Sequence, residues 1–217
     1  MRHRGKRKNW KAQRNVRLFG SLLVRRPSVL NLLHWAGLAS PISQTSAAEL
    51  AALERHAANA RTALEIGSFQ GVSAARIAAA MEPTGVLFCV DPWLEVNGKQ
   101  NPCWSIFTRH IERQELGSRI RVLRGFSGEL QLEIPSALDF AFIDGDHAWA
   151  GIETDWSLVG GRMRPGGRVC LHDSLVPPSE PWRSPDSVRY FEQVIRLDRR
   201  FELIDIVHSM AVLRRLH

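Results

Sequence analysis

Seven short apolar runs follow one another from Thr62 onward, and segments with helical spacing separate most of them. The runs are TALEIG (62–67), GVLFCVD (85–91), IRVLRG (120–125), LDFAFIDGD (138–146), GRVCLHD (167–173), FELIDIV (201–207) and MAVLRR (210–215). The helical segments are 72–81, 105–116, 128–132, 149–163 and 187–197. Strands that alternate with helices predict right-handed βαβ units and a mainly parallel sheet covered on both faces.

The last two apolar runs are joined only by His208 and Ser209. Two residues allow a hairpin but no crossover, so the final strand is predicted to be antiparallel. The pattern therefore indicates an α/β protein with a doubly wound seven-stranded sheet. In such a sheet, ligands bind where the strands end.

Two short amphipathic segments precede the sheet, with Pro27 between them. Their apolar positions recur at helical spacing: Leu18, Phe19, Leu22 and Leu23, then Val29, Leu30, Leu33 and Trp35. Ser46 follows as a candidate N-cap, with Glu49 as its capping-box partner. We divide the chain into a basic tail (1–15), a helical segment (16–60) and a main domain (61–217). The helical segment is predicted to be a lid over the active site or a homo-oligomer interface.

The basic charge is concentrated in the first 26 residues, which contain the tail. The chain has a net charge of +7, yet ten basic residues lie between Met1 and Arg26, and the first acidic residue is Glu49. The remaining 19 basic residues face 22 acidic ones, so the rest of the chain carries about −3. Such a tail could contact RNA, an acidic partner or anionic lipid, the last with help from Arg25 and Arg26, or it could be only a solubilising arm.

Two sequence features favour a cytoplasmic location. Too few apolar residues precede Val16 for a secretory signal, and no run approaches the roughly 20 apolar residues of a membrane span. The three cysteines, Cys89, Cys103 and Cys170, show neither a disulfide framework nor a zinc spacing.

A glycine turn joins the first strand to its helix. Gly67 and Gly71 let the backbone approach a ligand, but their spacing differs from G-x-G-x-x-G, and the lysine of a phosphate-binding loop is missing. Asp91 ends the second strand, where a carboxylate can accept hydrogen bonds from both hydroxyls of a ribose. The indole of Trp93 could pack near an adenine. The alternative is purely structural, with a turn at Gly67 and a helix cap at Asp91.

These motifs resemble the class I S-adenosylmethionine (SAM)-dependent methyltransferases. LEIGSFQGVSA is similar to their first motif, CVDPW to the segment with the ribose-binding acid, and FIDGDHAWAGIETDW with GGRVCLHD to the fourth and fifth strands of small-molecule O-methyltransferases. The resemblance runs from Ala63 to the C-terminus. It is closest to the subgroup of macrolide-sugar O-methyltransferases and cephalosporin hydroxylase-like proteins.

The resemblance implies a Rossmann-like fold and SAM as the cofactor. Glu65 would engage the ammonium group of SAM, directly or through water, and the two glycines would let the backbone approach its methionine part. The further cofactor-binding residues that it implies, beside the glycines, Asp91 and Trp93, are Ser68, Phe126, Ser127 and Asp144.

A group of titratable residues marks the ends of the fourth and fifth strands. In metal-dependent relatives, an acid after the fourth strand and a pair after the fifth hold magnesium, and these positions correspond to Asp144, His172 and Asp173. His172 departs from the pattern, because Mg²⁺ prefers oxygen; it is either not a ligand or the sign of a softer ion such as Mn²⁺ or Fe²⁺. Asp146 is a further candidate ligand.

A base is also expected in this group, because methyl transfer to an alcohol requires the loss of its proton. His147 is the first candidate and His172 the second. The structural alternative is that Asp146 or His147 caps a helix beginning near Ala148.

The sequence thus predicts methyl transfer from SAM to a hydroxyl of a small molecule, a sugar or secondary metabolite, assisted by a divalent metal. One alternative is a nucleic-acid methyltransferase that uses the basic tail, although FIDGDH lacks the Asn/Asp-Pro-Pro-aromatic motif expected for methylation of base amino groups. The other is a non-methylating protein on the same scaffold.

Overall fold

The computed structural model describes residues 27–176 and 185–217. The basic tail and the first amphipathic segment lie outside the described residues, as does part of the loop after the fifth strand. The helices are α1 (Pro27–Trp35), α2 (Ala47–Ala57), α3 (Val72–Ala80), α4 (Pro102–Arg113), α5 (Trp149–Gly160) and α6 (Pro185–Gln193), followed by a 3₁₀ turn (Ile195–Leu197). The strands are β1 (Thr62–Ile66), β2 (Val86–Asp91), β3 (Ile120–Arg124), β4 (Leu138–Ile143), β5 (Met163–Leu171), β6 (Phe201–Val207) and β7 (Met210–Arg215).

The seven strands form one sheet in the order β3-β2-β1-β4-β5-β7-β6. The pairs among β1 to β5 are parallel, and β7 is antiparallel to both of its neighbours, β5 and β6. The predicted doubly wound sheet and the antiparallel final strand are therefore confirmed. The strand order reverses between β1 and β4, which is where such sheets bind ligands.

Apolar side chains fill both faces of the sheet. On one face α2, α3 and α4 contribute Leu53, Ile77 and Phe107 to a buried cluster. On the other face α5 and α6 contribute Trp156 and Phe191. All three cysteines are free, and Cys89 and Cys170 are buried core residues.

Local signals start two of the helices where the sequence predicts. Ser46 and Glu49 form the expected capping box at the beginning of α2. Pro27 begins α1, the second amphipathic segment, because a proline costs no hydrogen bond in the first turn of a helix. Among the described residues, no helix is both long enough and apolar enough to cross a membrane.

One predicted helix is absent, and several predicted boundaries are wrong. The segment 128–132 forms turns rather than a helix, since its few residues offer little helical hydrogen bonding. The helix predicted to reach residue 163 ends at Gly160, and β5 begins at Met163 instead of Gly167. Gly166 has a φ of 80° within β5, and the pairing with β4 shifts register between Leu138 and Phe140. Because the glycine conformation and the register shift interrupt the regular strand pattern, the sequence gives no clear signal for the start of β5.

Candidate functional site

A cavity of about 310 Å³ lies beyond the carboxyl ends of β1, β2 and β4. The predicted residues in its wall are Gly67, Ser68, Asp91, Asp144 and His147. The segment before α2 supplies another part of the wall, through Ile42, Ser43, Gln44 and Thr45. The backbone N–H of Ile42 donates a 2.9 Å hydrogen bond to Gln70, which attaches this segment to the glycine turn. These four wall residues lie within the helical segment (16–60) that was predicted to be a lid or an interface, but no motif in the sequence singled them out.

Both turn glycines are required by neighbouring parts of the protein. A Cβ on Gly67 would lie 2.0 Å from the backbone oxygen of Asp144, so the ends of β1 and β4 could not come together. A Cβ on Gly71 would lie 2.8 Å from the Phe107 ring. Both residues have a positive φ, 90° and 82°, which other residues adopt only with strain. Gly67 lines the cavity, whereas Gly71 is not part of its wall.

Asp91 organises the turn that faces it. Its Oδ2 accepts a 2.9 Å hydrogen bond from the Phe69 N–H, and its Oδ1 accepts one of 2.8 Å from the Trp93 N–H. Burial raises the pKa of this carboxyl, and the backbone hydrogen bonds oppose the rise. Each ionised oxygen can still accept a second hydrogen bond. Asp91 can therefore shape the turn and bind a ribose at the same time.

Trp93 supports this turn and lies away from the cavity wall. Its side chain is buried against Trp104 and Phe107, and its Nε1 donates a 2.8 Å hydrogen bond to the Phe69 carbonyl. Phe69 has a φ of 46°, a strained conformation. Its N–H donates to Asp91 and its carbonyl accepts from Trp93, and these two hydrogen bonds hold the conformation in place. The predicted contact with adenine is therefore replaced by a supporting role, and the neighbouring Pro92 lines the cavity.

Glu65 is completely buried beneath the cavity. Its Oε2 accepts a 2.6 Å hydrogen bond from the Ser68 hydroxyl, and its Oε1 has no hydrogen-bond partner among the described residues. Burial raises the pKa of Glu65 to about 7, against the hydrogen bond from Ser68. Ser68 therefore separates the Glu65 carboxylate from the cavity.

The segment after β3 reaches the cavity through Gly125. Phe126 is about half exposed and lies outside the wall. Ser127 is buried, and its hydroxyl donates a short hydrogen bond to Asp155. Neither Phe126 nor Ser127 is part of the described cavity wall, and the Ser127 hydroxyl already has a partner within the protein.

Two carboxylates and two imidazoles converge at one end of the cavity. His147 Nε2 lies 3.5 Å from Asp144 Oδ1, and His147 Nδ1 lies 3.4 Å from Asp173 Oδ2. His172 Nδ1 lies 3.0 Å from Asp144 Oδ1 and 3.4 Å from Asp173 Oδ1. We call these four residues the acid–histidine cluster. Ligand atoms of Asp144, His147 and His172 all lie within 4.8 Å of one another, close enough to share one metal ion.

The two histidines of the cluster differ in access to the cavity. The His147 side chain is 32% exposed and lines the cavity, whereas the His172 side chain is 2% exposed and does not. Burial alone would lower the pKa of His172, but the carboxylates of Asp144 and Glu49 raise it to about 9. Its buried position argues against the prediction that His172 is the second candidate base.

Asp144 and Asp146 have separate surroundings despite their proximity in sequence. Burial would raise the pKa of Asp144, yet contacts with His147 and His172 hold it below its usual value. Asp146 is exposed, and its Oδ1 accepts a 3.0 Å hydrogen bond from the Ala148 N–H at the start of α5. This bond lies just before the helix, and the N-cap residue Ala148 has no side-chain cap, so the predicted capping of α5 by Asp146 is wrong. Asp146 is also not part of the acid–histidine cluster.

The residues around the cavity fit both expected groups. The partly unpaired carboxylate of Glu65, reached through Ser68, suits an ammonium group, and Asp91 suits a ribose. The cluster offers carboxylate oxygens and imidazole nitrogens, a donor set suited to ions such as Mn²⁺ and less typical of Mg²⁺.

Comparisons with known proteins agree with this geometry. Residues 64–174 match a family model described as a methyltransferase domain. One similar solved structure is the O-methyltransferase TomG from Streptomyces achromogenes, which is involved in tomaymycin synthesis and was solved in complex with SAM. It superimposes on this chain with a TM-score of 0.65 and 18% sequence identity, and the match covers 92% of this chain and 95% of TomG. A second is an O-methyltransferase from Bacillus cereus in complex with SAH, the demethylated form of SAM. It has a TM-score of 0.65 and 19% sequence identity, and the match covers 89% of this chain and 90% of that protein. A comparison with curated protein sequences gives no match.

The family match covers more than half of the chain, and the structural matches share its fold. The chain therefore belongs to the methyltransferase-domain family, with the class I SAM-dependent methyltransferase fold.

Proposed function

We propose that the protein transfers a methyl group from SAM to a hydroxyl of a small molecule, with the help of a divalent cation. The observation that carries this proposal is that Asp144 and His147 belong both to the cavity wall and to the acid–histidine cluster. A proton-accepting group and candidate metal ligands therefore lie beside the cavity that suits SAM. Similarity in fold to two O-methyltransferases supports the same reaction class.

In this proposal, each wall of the cavity holds one part of the cofactor. Asp91 accepts hydrogen bonds from the ribose, and Ser68, polarised by Glu65, accepts one from the ammonium group. Gly67 lets the end of β1 lie against the backbone of Asp144, and its own backbone lines the cavity beside the methionine part. The sulfonium of bound SAM supplies an activated methyl group, which an oxygen nucleophile can attack once its proton leaves.

Asp144, His172 and Asp173 are the proposed ligands of the cation. A bound divalent cation lowers the pKa of a hydroxyl that it coordinates. His147 Nδ1 lies 3.4 Å from Asp173 Oδ2, and His147 Nε2 lies 3.5 Å from Asp144 Oδ1. One ring nitrogen can therefore donate its proton to a carboxylate while the other accepts the proton of the acceptor. His147 is the more exposed of the two histidines and is the proposed base.

The test combines binding and turnover on metal-stripped, full-length protein. Calorimetry with SAM and with S-adenosylhomocysteine measures cofactor binding, and a titration with Mn²⁺ measures metal binding. Methyl transfer is then assayed against hydroxylated small molecules and against RNA, with Mn²⁺, with Mg²⁺ or with chelator. We expect both cofactor forms to bind, and transfer to occur only to a small-molecule hydroxyl and only with metal.

Two variants separate the base from the ligands. His147→Asn is expected to keep SAM and Mn²⁺ binding and to lose roughly a hundredfold or more in kcat. Asp173→Asn is expected to weaken Mn²⁺ binding. Loss of Mn²⁺ binding in His147→Asn would make this histidine a ligand instead of the base. Transfer to RNA alone, or cofactor binding without any transfer, would overturn the proposed function.

A further inference from the structure

Glu49 is more deeply buried than a residue in a capping box needs to be. Its side chain is 0% exposed, although it lies in the first turn of α2. Its Oε2 accepts the 2.9 Å hydrogen bond from the Ser46 N–H that completes the capping box. Removing a carboxylate from water costs several kcal/mol unless charged or hydrogen-bonding groups surround it. The groups that surround Glu49 must therefore compensate for its burial, and their identity indicates its role.

Those neighbours come from two distant parts of the chain. Glu49 Oε1 accepts hydrogen bonds of 3.0 Å and 2.7 Å from the N–H and hydroxyl of Ser209, in the turn between β6 and β7. Glu49 Oε2 lies 3.5 Å from His172 Nε2, after the end of β5. Hydrogen bonds from Ser46 and Ser209 thus fix both carboxylate oxygens. Oε1 also lies 3.7 Å from Nδ1 of His208, in the same turn as Ser209, whereas Oε2 faces His172 of the acid–histidine cluster.

His172 lies between Glu49 and the candidate metal ligands. Its Nε2 faces Glu49, while its Nδ1 lies 3.0 Å from Asp144 Oδ1. A histidine that binds a metal through one ring nitrogen usually donates the other N–H to a carboxylate, which fixes the tautomer and the orientation of the ring. Glu49 occupies the position of that carboxylate.

We propose that Glu49 is a positioning residue that holds the Nε2–H of His172 and so presents the Nδ1 lone pair to a divalent cation beside Asp144 and Asp173. This inference rests on the proposed function, because it requires the cation. It also explains why His172 can replace an oxygen ligand, since a carboxylate behind an imidazole increases its basicity as a ligand. Through Glu49, the helix α2 becomes part of the metal site.

The test is a titration of metal-stripped, full-length protein with Mn²⁺, followed by the electron paramagnetic resonance signal of the free ion. Glu49→Gln keeps the size of the side chain and removes its charge. We expect this variant to bind Mn²⁺ about tenfold to a hundredfold more weakly than the wild type. Ser46→Ala is the matched control, because it breaks the side-chain half of the same capping box and leaves Glu49 beside His172.

Thermal unfolding without metal separates positioning from a merely structural role. Both variants are expected to lower the melting temperature, and only Glu49→Gln to weaken Mn²⁺ binding. Should Glu49→Gln fail to fold, Glu49→Asp keeps the charge with a shorter reach and is expected to weaken Mn²⁺ binding. The Co²⁺ form of either variant should also differ from the wild type in its visible absorption.

The possible failures are distinct. A wild type that binds no Mn²⁺ would remove the cation from the proposed function and overturn this inference with it. Wild-type affinity in Glu49→Gln, or in Glu49→Asp if that variant is used, would overturn the positioning role alone. Equal weakening in Ser46→Ala would also overturn it, because the docking of α2 would then explain the effect.

Discussion

The hydroxyl of Ser68 donates a 2.6 Å hydrogen bond to Glu65 Oε2 and separates this buried carboxylate from the cavity. Within the described residues, Ser68 thus connects the buried carboxylate of Glu65 to the cavity wall. Because burial raises the pKa of Glu65 to about 7, its charge depends on pH in the neutral range. A cationic ligand beside Ser68 would favour the ionised form.

Glu65 should make the stability of the ligand-free protein depend on pH. Its pKa is raised from the ordinary 4.5 to about 7, so between these values the folded protein holds a proton that the unfolded chain has released. The free energy of unfolding contributed by Glu65 therefore falls as the pH rises through this window and is constant above it. Relative to Glu65→Gln, the wild type is expected to lose on the order of 2 kcal/mol or more across the window.

Urea unfolding of both proteins at about pH 5 and about pH 8 measures this difference, because other titrating groups cancel in the comparison. A constant difference between the two proteins would show that Glu65 has the same protonation state throughout.

Asp91 and Asp139 form a matched pair for testing the ribose assignment. Asp139 Oδ2 accepts hydrogen bonds of 2.9 Å from two backbone N–H groups, those of Arg61 and Thr62, at the opposite end of the sheet. Asp91→Ala and Asp139→Ala should each lower the free energy of unfolding by roughly 1–3 kcal/mol. Only Asp91→Ala should weaken SAM binding in calorimetry, by about a hundredfold or more. Equal SAM affinity in both variants would refute the role of Asp91.

Alanine substitutions at the two turn glycines should damage the protein for different reasons. Gly67→Ala forces the end of β1 from Asp144, so we expect it to unfold the protein or abolish SAM binding. Gly71→Ala strains the backbone and presses on Phe107, at a cost of roughly 2–4 kcal/mol in the free energy of unfolding. Because Gly71 is not part of the wall, the folded fraction of Gly71→Ala should still bind SAM. Denaturant unfolding and calorimetry on the same samples measure both effects. Full SAM binding in Gly67→Ala together with lost SAM binding in folded Gly71→Ala would contradict the prediction.

Removal of residues 1–26 should leave the cofactor site intact. The described cavity wall begins at Ile42, and α1 begins at Pro27. We expect SAM affinity to stay within about threefold of the full chain, since none of the wall residues is lost. Binding to anionic vesicles or to RNA at low salt should decrease, because ten basic residues are removed. A large loss of SAM affinity would instead place the deleted segment at the cavity.

The fold could be predicted because strand and helix periods alternate clearly from Thr62 onward. The two-residue link at His208 and Ser209 was enough to predict the antiparallel β7. The boundaries of β5 could not be predicted, because Gly166 and the register shift beside Leu138 depend on packing against β4.

The acid–histidine cluster was predictable because its residues follow the ends of two strands that the sequence places side by side. Asp144, His147, His172 and Asp173 lie together because the ends of neighbouring strands meet, as expected. Trp93 was placed incorrectly, because a large aromatic residue beside a ligand and one in a core have the same local pattern. Glu49 was recognised only as a capping residue, because its contacts with His172 and Ser209 join positions more than 120 residues apart.

The wall formed by Ile42 to Thr45 and the anchor formed by Ser46 and Glu49 are consecutive in the chain. The boundary between Thr45 and Ser46 is therefore a natural crossover point for chimeras. A loop grafted from a relative up to Thr45 would change the wall of the cavity. A graft extending past Glu49 would also replace the buried carboxylate that faces His172, so chimeras with these two end points would separate the effect of the wall from that of the carboxylate.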